Sequence, residues 1–429
     1  MKRTWIFIFT LTLITIGLGT LRLYVLPVHF PQLLKQLETK QDVVSAPTPT
    51  PQAEAELAAR LAAEARISSA SAAFLQKLTP RQKVAQLVAF PVPVTSSNSA
   101  EREVEGLTEV PGVFTLTGRQ VAALQAEQAI ALLDSAPRFG RIQSALPELT
   151  NEERALLKPL IAVDHEGGTV QRISGEGMTV IPSAQEQCAL TKEELNALVL
   201  RSARELQSIG VDIIFAPVVD LAENHPVLKT RVCSPNPEVV RIFAEQWIVA
   251  LQSHNITPVI KHYPGIGQTT TDLHKNPDRI EFNPVEHSVF VSLLSKFPKI
   301  GVMSSHVVIG DAQVSQDIVF TQNLPCTVST ECMSLLPEST DQLRFTDALE
   351  MASAQGFEQF NNGEEVTLDQ LSIAAINAGH TTLVFDASIS AAKTNELISR
   401  LSDEYQRSPE FRQNVDRAVM KLWRKKMTQ

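Results

Sequence analysis

The feature that most constrains this chain is a repeated alternation of short apolar runs with longer helical patterns. The runs are LVAF (87–90), PGVFTLT (111–117), PLIAVD (159–164), IIFAPVVDL (213–221), PVIKHYPG (258–265), IGVMSSH (300–306), LRFTDAL (343–349) and TTLVFDA (381–387). Each is long enough for a strand of a parallel sheet buried on both faces. Helical stretches such as TKEELNALVLRSARELQSIG and NPEVVRIFAEQWIVALQSH separate most of them. Repeated β-α units of this size predict an α/β fold, as a barrel or a doubly wound sheet. Strand after strand ends on a polar residue: Asp164, Asp220, Lys261-His262, His306 and Asp347. A barrel brings every C-terminal strand end to one rim. An open sheet gathers them only at its switch point. The expected architecture is therefore a (β/α)8 TIM-type barrel with its chemistry at one rim. The run 310–342 has no strong pattern and reads as a long loop with one helix.

Around this body the chain is uneven. Its 429 residues suffice for a large buried core. A net charge of −9 argues against a nucleic-acid surface. Arg424-Lys425-Lys426 ends a helical stretch and reads as a solvated helix end. Lys2-Arg3 precede WIFIFTLTLITIGLGTL (5–21), which carries no charge, and Leu23–Leu26 extend it past Arg22. Residues 1–26 are expected to be a signal anchor, with the rest of the chain outside the cytoplasm, or a secreted chain if the segment is cleaved. Residues 27–73 are expected to be a linker, first Pro/Thr-rich and then Ala-rich, and residues 74–429 the folded barrel. Thr79-Pro80 supplies an N-cap and a first-turn proline for the helix that follows. The four cysteines form no CxxC, which argues against structural zinc; Cys326 and Cys332 are close enough to pair in an oxidising compartment.

The densest chemistry lies in KHYPGIGQTTTDLHK (261–275). Three readings compete: a phosphate cradle, a metal site or a mobile catalytic loop. Gly265-Ile266-Gly267 is only GxG, without the third glycine or the GK[ST] of a nucleotide loop. His262, Asp272 and His274 are metal-ligand types, but they sit in a Thr-rich loop and no HExxH is present. Taken singly, each reads equally well as an ordinary rim or turn residue. Two further stretches change that balance. IAVDHEGGTVQRI (161–173) puts Asp164 at a strand end, then paired glycines that allow positive φ or close approach, then Arg172. Asp with Arg suits the hydroxyls of a sugar. LRFTDALEM (343–351) puts Asp347 at another strand end, opening a helix whose N-terminus favours an ionised carboxylate, as a nucleophile requires or as an N-cap supplies.

DHEGGTVQR, APVVDL with NHPVLKTR, KHYPGIG with its following DLH, and TDALEM, in this order over roughly residues 76–400, resemble the motif series of glycoside hydrolase family 3. The Asp-x-His loop resembles the family's single-domain β-N-acetylglucosaminidase (β-N-acetylhexosaminidase) branch, which trims peptidoglycan fragments; its β-glucosidases and β-xylosidases lack that loop. The resemblance implies Asp347 as nucleophile, His274 as general acid/base and Asp272 as its orienting partner. It implies that Asp164, Arg172, Arg231, Lys261 and His262 bind the sugar, that no metal or other cofactor takes part, and that the partner is an amino-sugar glycoside. Nothing in the chain points to a protein partner.

The chemistry coheres on its own terms. Retaining hydrolysis needs a carboxylate nucleophile and a proton donor across the bond, and an imidazole ordinarily titrates near ~6.5, close to working pH. A carboxylate beside it fixes its tautomer. Three departures from the family pattern stand out. Ile266 takes the place of the second histidine in Lys-His-[Phe/Tyr]-Pro-Gly-His-Gly, PESTDQLRF replaces Gly-Phe-x-Gly, and His380 with Thr381 replaces the x-Asp of Ala-Gly-x-Asp.

Overall fold

The computed structural model describes residues 69, 71–94, 104–118, 121–135, 150–310, 323–339, 341–355 and 366–427. The expected anchor, residues 1–26, and nearly all of the expected linker, 27–73, lie outside the described residues. Among the described residues no helix is long and apolar enough to cross a membrane.

Eight strands form one sheet: β1 Val88–Pro93, β2 Val113–Thr117, β3 Leu160–Val163, β4 Ile213–Ile214, β5 Thr257–Tyr263, β6 Gly301–Ser304, β7 Leu343–Thr346 and β8 Leu383–Val384. All eight fall on the apolar runs read from the sequence; β1 runs on past Phe90 to Pro93, and β5 begins one residue earlier, at Thr257. Each pairs in parallel with its neighbours in chain order, and β8 returns to β1 through Val88↔Leu383 and Ala89↔Val384. Between β7 and β8 the contact narrows to a parallel bridge at Phe345↔Thr382, with Thr346 N–H donating to Thr382 O at 3.1 Å. The result is a nearly closed parallel barrel.

Strand β4 is shorter than the run 213–221 predicts. Pro217 has no N–H to give the ladder, and past Ile214 the pairing continues only as separate bonds: Phe215 N and Val219 N donate to Val163 O and Lys261 O, while Ala216 O and Pro217 O accept from Val259 N and Lys261 N. Helices cover the outside where the sequence places them. Lys192–Ser208 starts at Thr191, whose side chain and that of Glu194 form a reciprocal cap, and Pro237–Gln252 starts at Asn236. In the stretch with no pattern, the described part holds a short 3-10 turn, Cys326–Val328, and the helix Thr330–Ser334.

Two apolar layers hold the body together. One lies between sheet and helices. The other fills the barrel with Ala89, Val113, Leu160, Ala162, Ile213, Phe215, Val259, Met303, Leu343, Phe345 and Val384, closed by Leu422 of the C-terminal helix Pro409–Met427. That helix is not simply solvated at its end. Trp423 Nε1 donates to Gln86 Oε1, its ring stacks on Phe74 at 4.8 Å, and Lys426 Nζ donates to the Leu156 carbonyl. Burial pushes the Lys426 ammonium down to about 7. The basic run reads as solvent-facing only because sequence does not show that the helix docks against the barrel.

Strand side chains alternate with period two. Ala162, Val259 and Phe345 fill the barrel. Two residues further on, the same inward rows carry Asp164, Lys261 and Asp347.

Candidate active site

Lys261 bridges two carboxylates of the rim. Its buried Nζ lies 2.7 Å from Asp164 Oδ1 and 2.6 Å from Glu166 Oε1. Glu166 in turn takes a bidentate pair from Arg231, 2.8 Å from Nε and 2.9 Å from Nη2. Burial acts to raise the Glu166 carboxyl, but Arg231 and Lys261 outweigh it and hold the group well below the usual carboxylate range. His262, also buried, donates Nδ1–H to Asp220 Oδ2 at 2.7 Å, which leaves Nε2 facing Arg231 Nη2 at 3.5 Å. Asp220 also accepts the backbone N–H of His262 and of Ile266. Four predicted sugar-binding residues, Asp164, Arg231, Lys261 and His262, thus meet in one network.

Arg172 stands apart. Its backbone N–H donates to Asp164 O at 3.2 Å, but among the described residues its guanidinium has no hydrogen bond or ion pair. The Asp164 carboxylate pairs with Lys261. Between Asp164 and Arg172 runs a small hairpin, His165–Gly167 against Val170–Gln171, turned by Gly167 and Gly168 at φ +98° and +56°. A Cβ on Gly167 would collide with the Pro182 carbonyl, so both uses foreseen for the paired glycines are realised.

Sequence reasoning missed Glu166 and Asp220 as members of the network. Glu166 carried a usable signal: it sits two residues beyond Asp164 in the same motif. It also missed a disulfide. Cys188–Cys233 (Cα–Cα 5.7 Å) ties the end of the helix Ala184–Gln187 to the segment just after Arg231. The expected Cys326–Cys332 bond is present, with Cα–Cα 5.3 Å.

Asp347 follows β7 directly. Its N–H donates to Ser304 O at 3.0 Å, and its Oδ1 accepts Ala348 N at 2.8 Å. Burial acts to raise its carboxyl, but the imidazoles of His262, His306 and His274 and the Ala348 N–H bring it below the ordinary value. It is therefore an anion at neutral pH. His306, buried beside it, donates Nε2–H to Ala348 O at 2.9 Å.

Asp272 and His274 lie on the loop after β5. His274 Nδ1 donates to Asp272 Oδ1 at 2.9 Å, and its N–H reaches the same oxygen at 3.1 Å. The imidazole is 68% exposed. The loop leans on the segment that follows Asp347: Ala352 N donates to His274 O at 3.4 Å and Ser353 N to Leu273 O at 3.2 Å. Asp278 Oδ2 holds the loop from below by accepting Thr270 N and Thr271 N. Burial raises and His274 lowers the Asp272 carboxyl, and the net direction is down.

The departures at 266 and 380 have clear places. Ile266 is buried, and its carbonyl takes Nε2–H of His225 at 3.0 Å. His380 is buried in a polar knot outside the barrel wall, with Nδ1 donating to Ala375 O and Nε2 bonded to Ser304 Oγ at 2.8 Å. Ile266 joins the network of Lys261 only through its backbone N–H to Asp220, and His380 joins neither that network nor the Asp272–His274 pair. Among the described residues no cluster of His, Cys, Asp and Glu could hold a metal ion.

The chain is similar to several known proteins. A β-hexosaminidase A of Pseudoalteromonas piscicida is 28% identical over 257 residues, covering 54% of this chain and 43% of that protein. A β-hexosaminidase of Idiomarina loihiensis is 33% identical over 205 residues, 45% of this chain and 61% of that one. The chain thus spans about half the length of the curated relatives it matches. The crystal structure of a β-N-acetylhexosaminidase from Beutenbergia cavernae superposes with a TM-score of 0.66 at 22% identity, covering 82% of this chain and 99% of that one. A family 3 glycosyl hydrolase of Mycobacterium smegmatis gives 0.61 at 23% identity, with 82% and 98% covered. The profile of the glycosyl hydrolase family 3 N terminal domain matches residues 79–422, and the chain belongs to that family.

Proposed function

We propose that this chain is a retaining β-N-acetylhexosaminidase that releases terminal β-linked N-acetylglucosamine, with peptidoglycan fragments as its substrate. The observation that carries this reading is the hydrogen-bonded Asp272–His274 pair on a loop leaning against the segment after Asp347. Asp347 attacks the anomeric carbon and forms a glycosyl ester. His274 Nε2–H protonates the departing oxygen, then takes a proton from the water that hydrolyses the ester. Asp272 holds the Nδ1–H tautomer and stabilises the imidazolium. Lys261, His262, Asp164, Arg172 and Arg231 hold the hydroxyls and the acetamido group of the sugar. Glu166 and Asp220 fix the donors among them. Residues 1–26 anchor the protein in the cell membrane and 27–73 space the barrel from it, outside the cytoplasm.

The names of the relatives support the amino-sugar reading over glucose or xylose. A panel of aryl β-glycosides of GlcNAc, glucose and xylose tests it. GlcNAc release at least tenfold faster than the others is expected. Preference for glucose or xylose would move the chain to the family's other activities, and no turnover on any of them would leave a sugar-binding protein.

A further inference from the structure

Glu286 has no part in the chemistry above, yet it is buried at the root of the loop that carries His274. It is the third residue of the helix Pro284–Lys296, where a glutamate ordinarily turns back to cap its own helix. Here Asn283 does the capping, and Glu286 turns outward. Its Oε1 accepts two backbone N–H groups, from Leu221 at 2.8 Å and from Gly267 at 3.0 Å. Its Oε2 is buried with no partner. The fit leaves no slack. A Cβ on Gly265 would collide with Glu286 Cγ and Cδ, and one on Gly267 with the Leu221 carbonyl, so both glycines of PGIG are needed for the loop to seat on this carboxyl.

The surrounding titratable groups offer no counter-charge. Asp220 approaches from the segment after β4. His262 is bonded to Asp220, and His225 is bonded to Ile266 O. His287, on the same helix, packs on the rings of Tyr263 and Phe282. Among the described residues no Lys or Arg pairs with Glu286.

We infer that Glu286 is a positioning residue: as a neutral acid wedged between Leu221 and Gly267 it seats the catalytic loop, and its ionisation unseats it. Burial first, and Asp220 second, push its carboxyl up from 4.5 to about 8. In the seated loop the acid stays protonated up to that pH; once the loop lifts and water enters, it ionises at its ordinary value. Seating is therefore fully favourable below about pH 4.5 and loses up to about tenfold in its equilibrium constant per pH unit until about pH 8. This inference rests on the proposed role of His274 for its effect on turnover, but not for its effect on the loop.

The test is hydrogen exchange of residues 264–274 in the full chain without substrate, corrected for intrinsic base catalysis, with Glu286→Gln and Glu286→Ala alongside. The wild type is expected to open at least tenfold more at pH 8 than at pH 6. Glu286→Gln keeps an acceptor oxygen and cannot ionise, so its opening stays flat. Glu286→Ala leaves two N–H groups without an acceptor and opens at least tenfold more than wild type at pH 6. On an activated aryl GlcNAc substrate, whose departing oxygen needs little protonation, wild type is expected to show an alkaline fall of kcat/KM that is reduced in Glu286→Gln. An identical pH rise in wild type and Glu286→Gln would overturn the inference, and if Glu286→Ala fails to fold that comparison still decides it. If the wild type hydrolyses no glycoside, the proposed function fails while the exchange data still judge Glu286.

Discussion

The rim holds two regions built on opposite principles. Around Lys261 the ionisable groups are buried or half-buried and bonded to one another: Asp164, Glu166, Arg231, His262 and Asp220 share one continuous network. At Asp272–His274 one hydrogen-bonded pair sits on a loop with its imidazole mostly in water. A sugar must be held to within fractions of an ångström, and buried, satisfied ion networks supply that rigidity at the cost of tolerance to change. A proton donor that must both give and take, with water admitted between the two steps, is better placed on a loop that can move. Substitutions should therefore act on the first region through stability and on the second through turnover.

The largest effect is expected where the two regions meet. Asp347→Asn removes the proposed nucleophile, and turnover of every substrate should fall by at least about 10³-fold whatever the leaving group. An equal melting temperature would show that the loss is chemical. Glu166→Gln comes next and breaks the comparison from the rigid side. It strands Lys261 and Arg231, and loss of one partner from a buried ion network costs about 3–5 kcal/mol, readable by denaturant unfolding. The sign with pH is fixed. The Glu166 carboxyl is depressed, so its stabilisation is present above its ordinary value of 4.5 and is lost as pH falls below it. The gap between wild type and Glu166→Gln should narrow on acidification from pH 6 to pH 3.

Asp272→Asn acts on the mobile side. It should leave the unfolding free energy nearly unchanged and lower turnover of a disaccharide by roughly 10–10²-fold, less than loss of the imidazole itself, since general acid help is worth about 10²–10⁴-fold. The smallest effect on turnover belongs to the disulfides. Cys188–Cys233 closes a separation of 45 residues and Cys326–Cys332 only 6. By loop entropy their removal should cost about 4 and about 2 kcal/mol. Only the first lies beside Arg231, so only Cys188→Ser should also raise KM.

What was legible in the sequence follows from how each feature is encoded. The eight strands are local runs of apolar residues, and the polar residue ending each run marks the rim, so Asp164, Lys261 and Asp347 could be read without a structure. Asp272 and His274 are two residues apart and bond each other in place. The buried partners are another matter. Glu166 binds Arg231 across 65 positions, and Glu286 reaches Leu221 across the same separation. Each sits in a local setting, a Glu-Gly-Gly turn or a helix first turn, that explains it without any distant partner. Arg172 meets Asp164 through backbone alone, its N–H donating to the Asp164 carbonyl across the hairpin between them. The Arg424-Lys425-Lys426 run looked solvated because docking of a terminal helix leaves no mark on its own charges.

The central claim is that the exposed imidazole on the loop is the acid and base for a nucleophilic Asp347. The most direct measurement is the intact mass of His274→Ala during turnover of an activated aryl GlcNAc, beside its rate on a natural disaccharide. The first step should proceed, because the aryl oxygen needs little protonation, and the second should stall for want of a base. A burst of phenol, an adduct of one glycosyl residue mapped to Asp347, and a fall of about 10²–10⁴-fold on the disaccharide are predicted. Equal slowing on both substrates, with no burst and no adduct, would contradict the account.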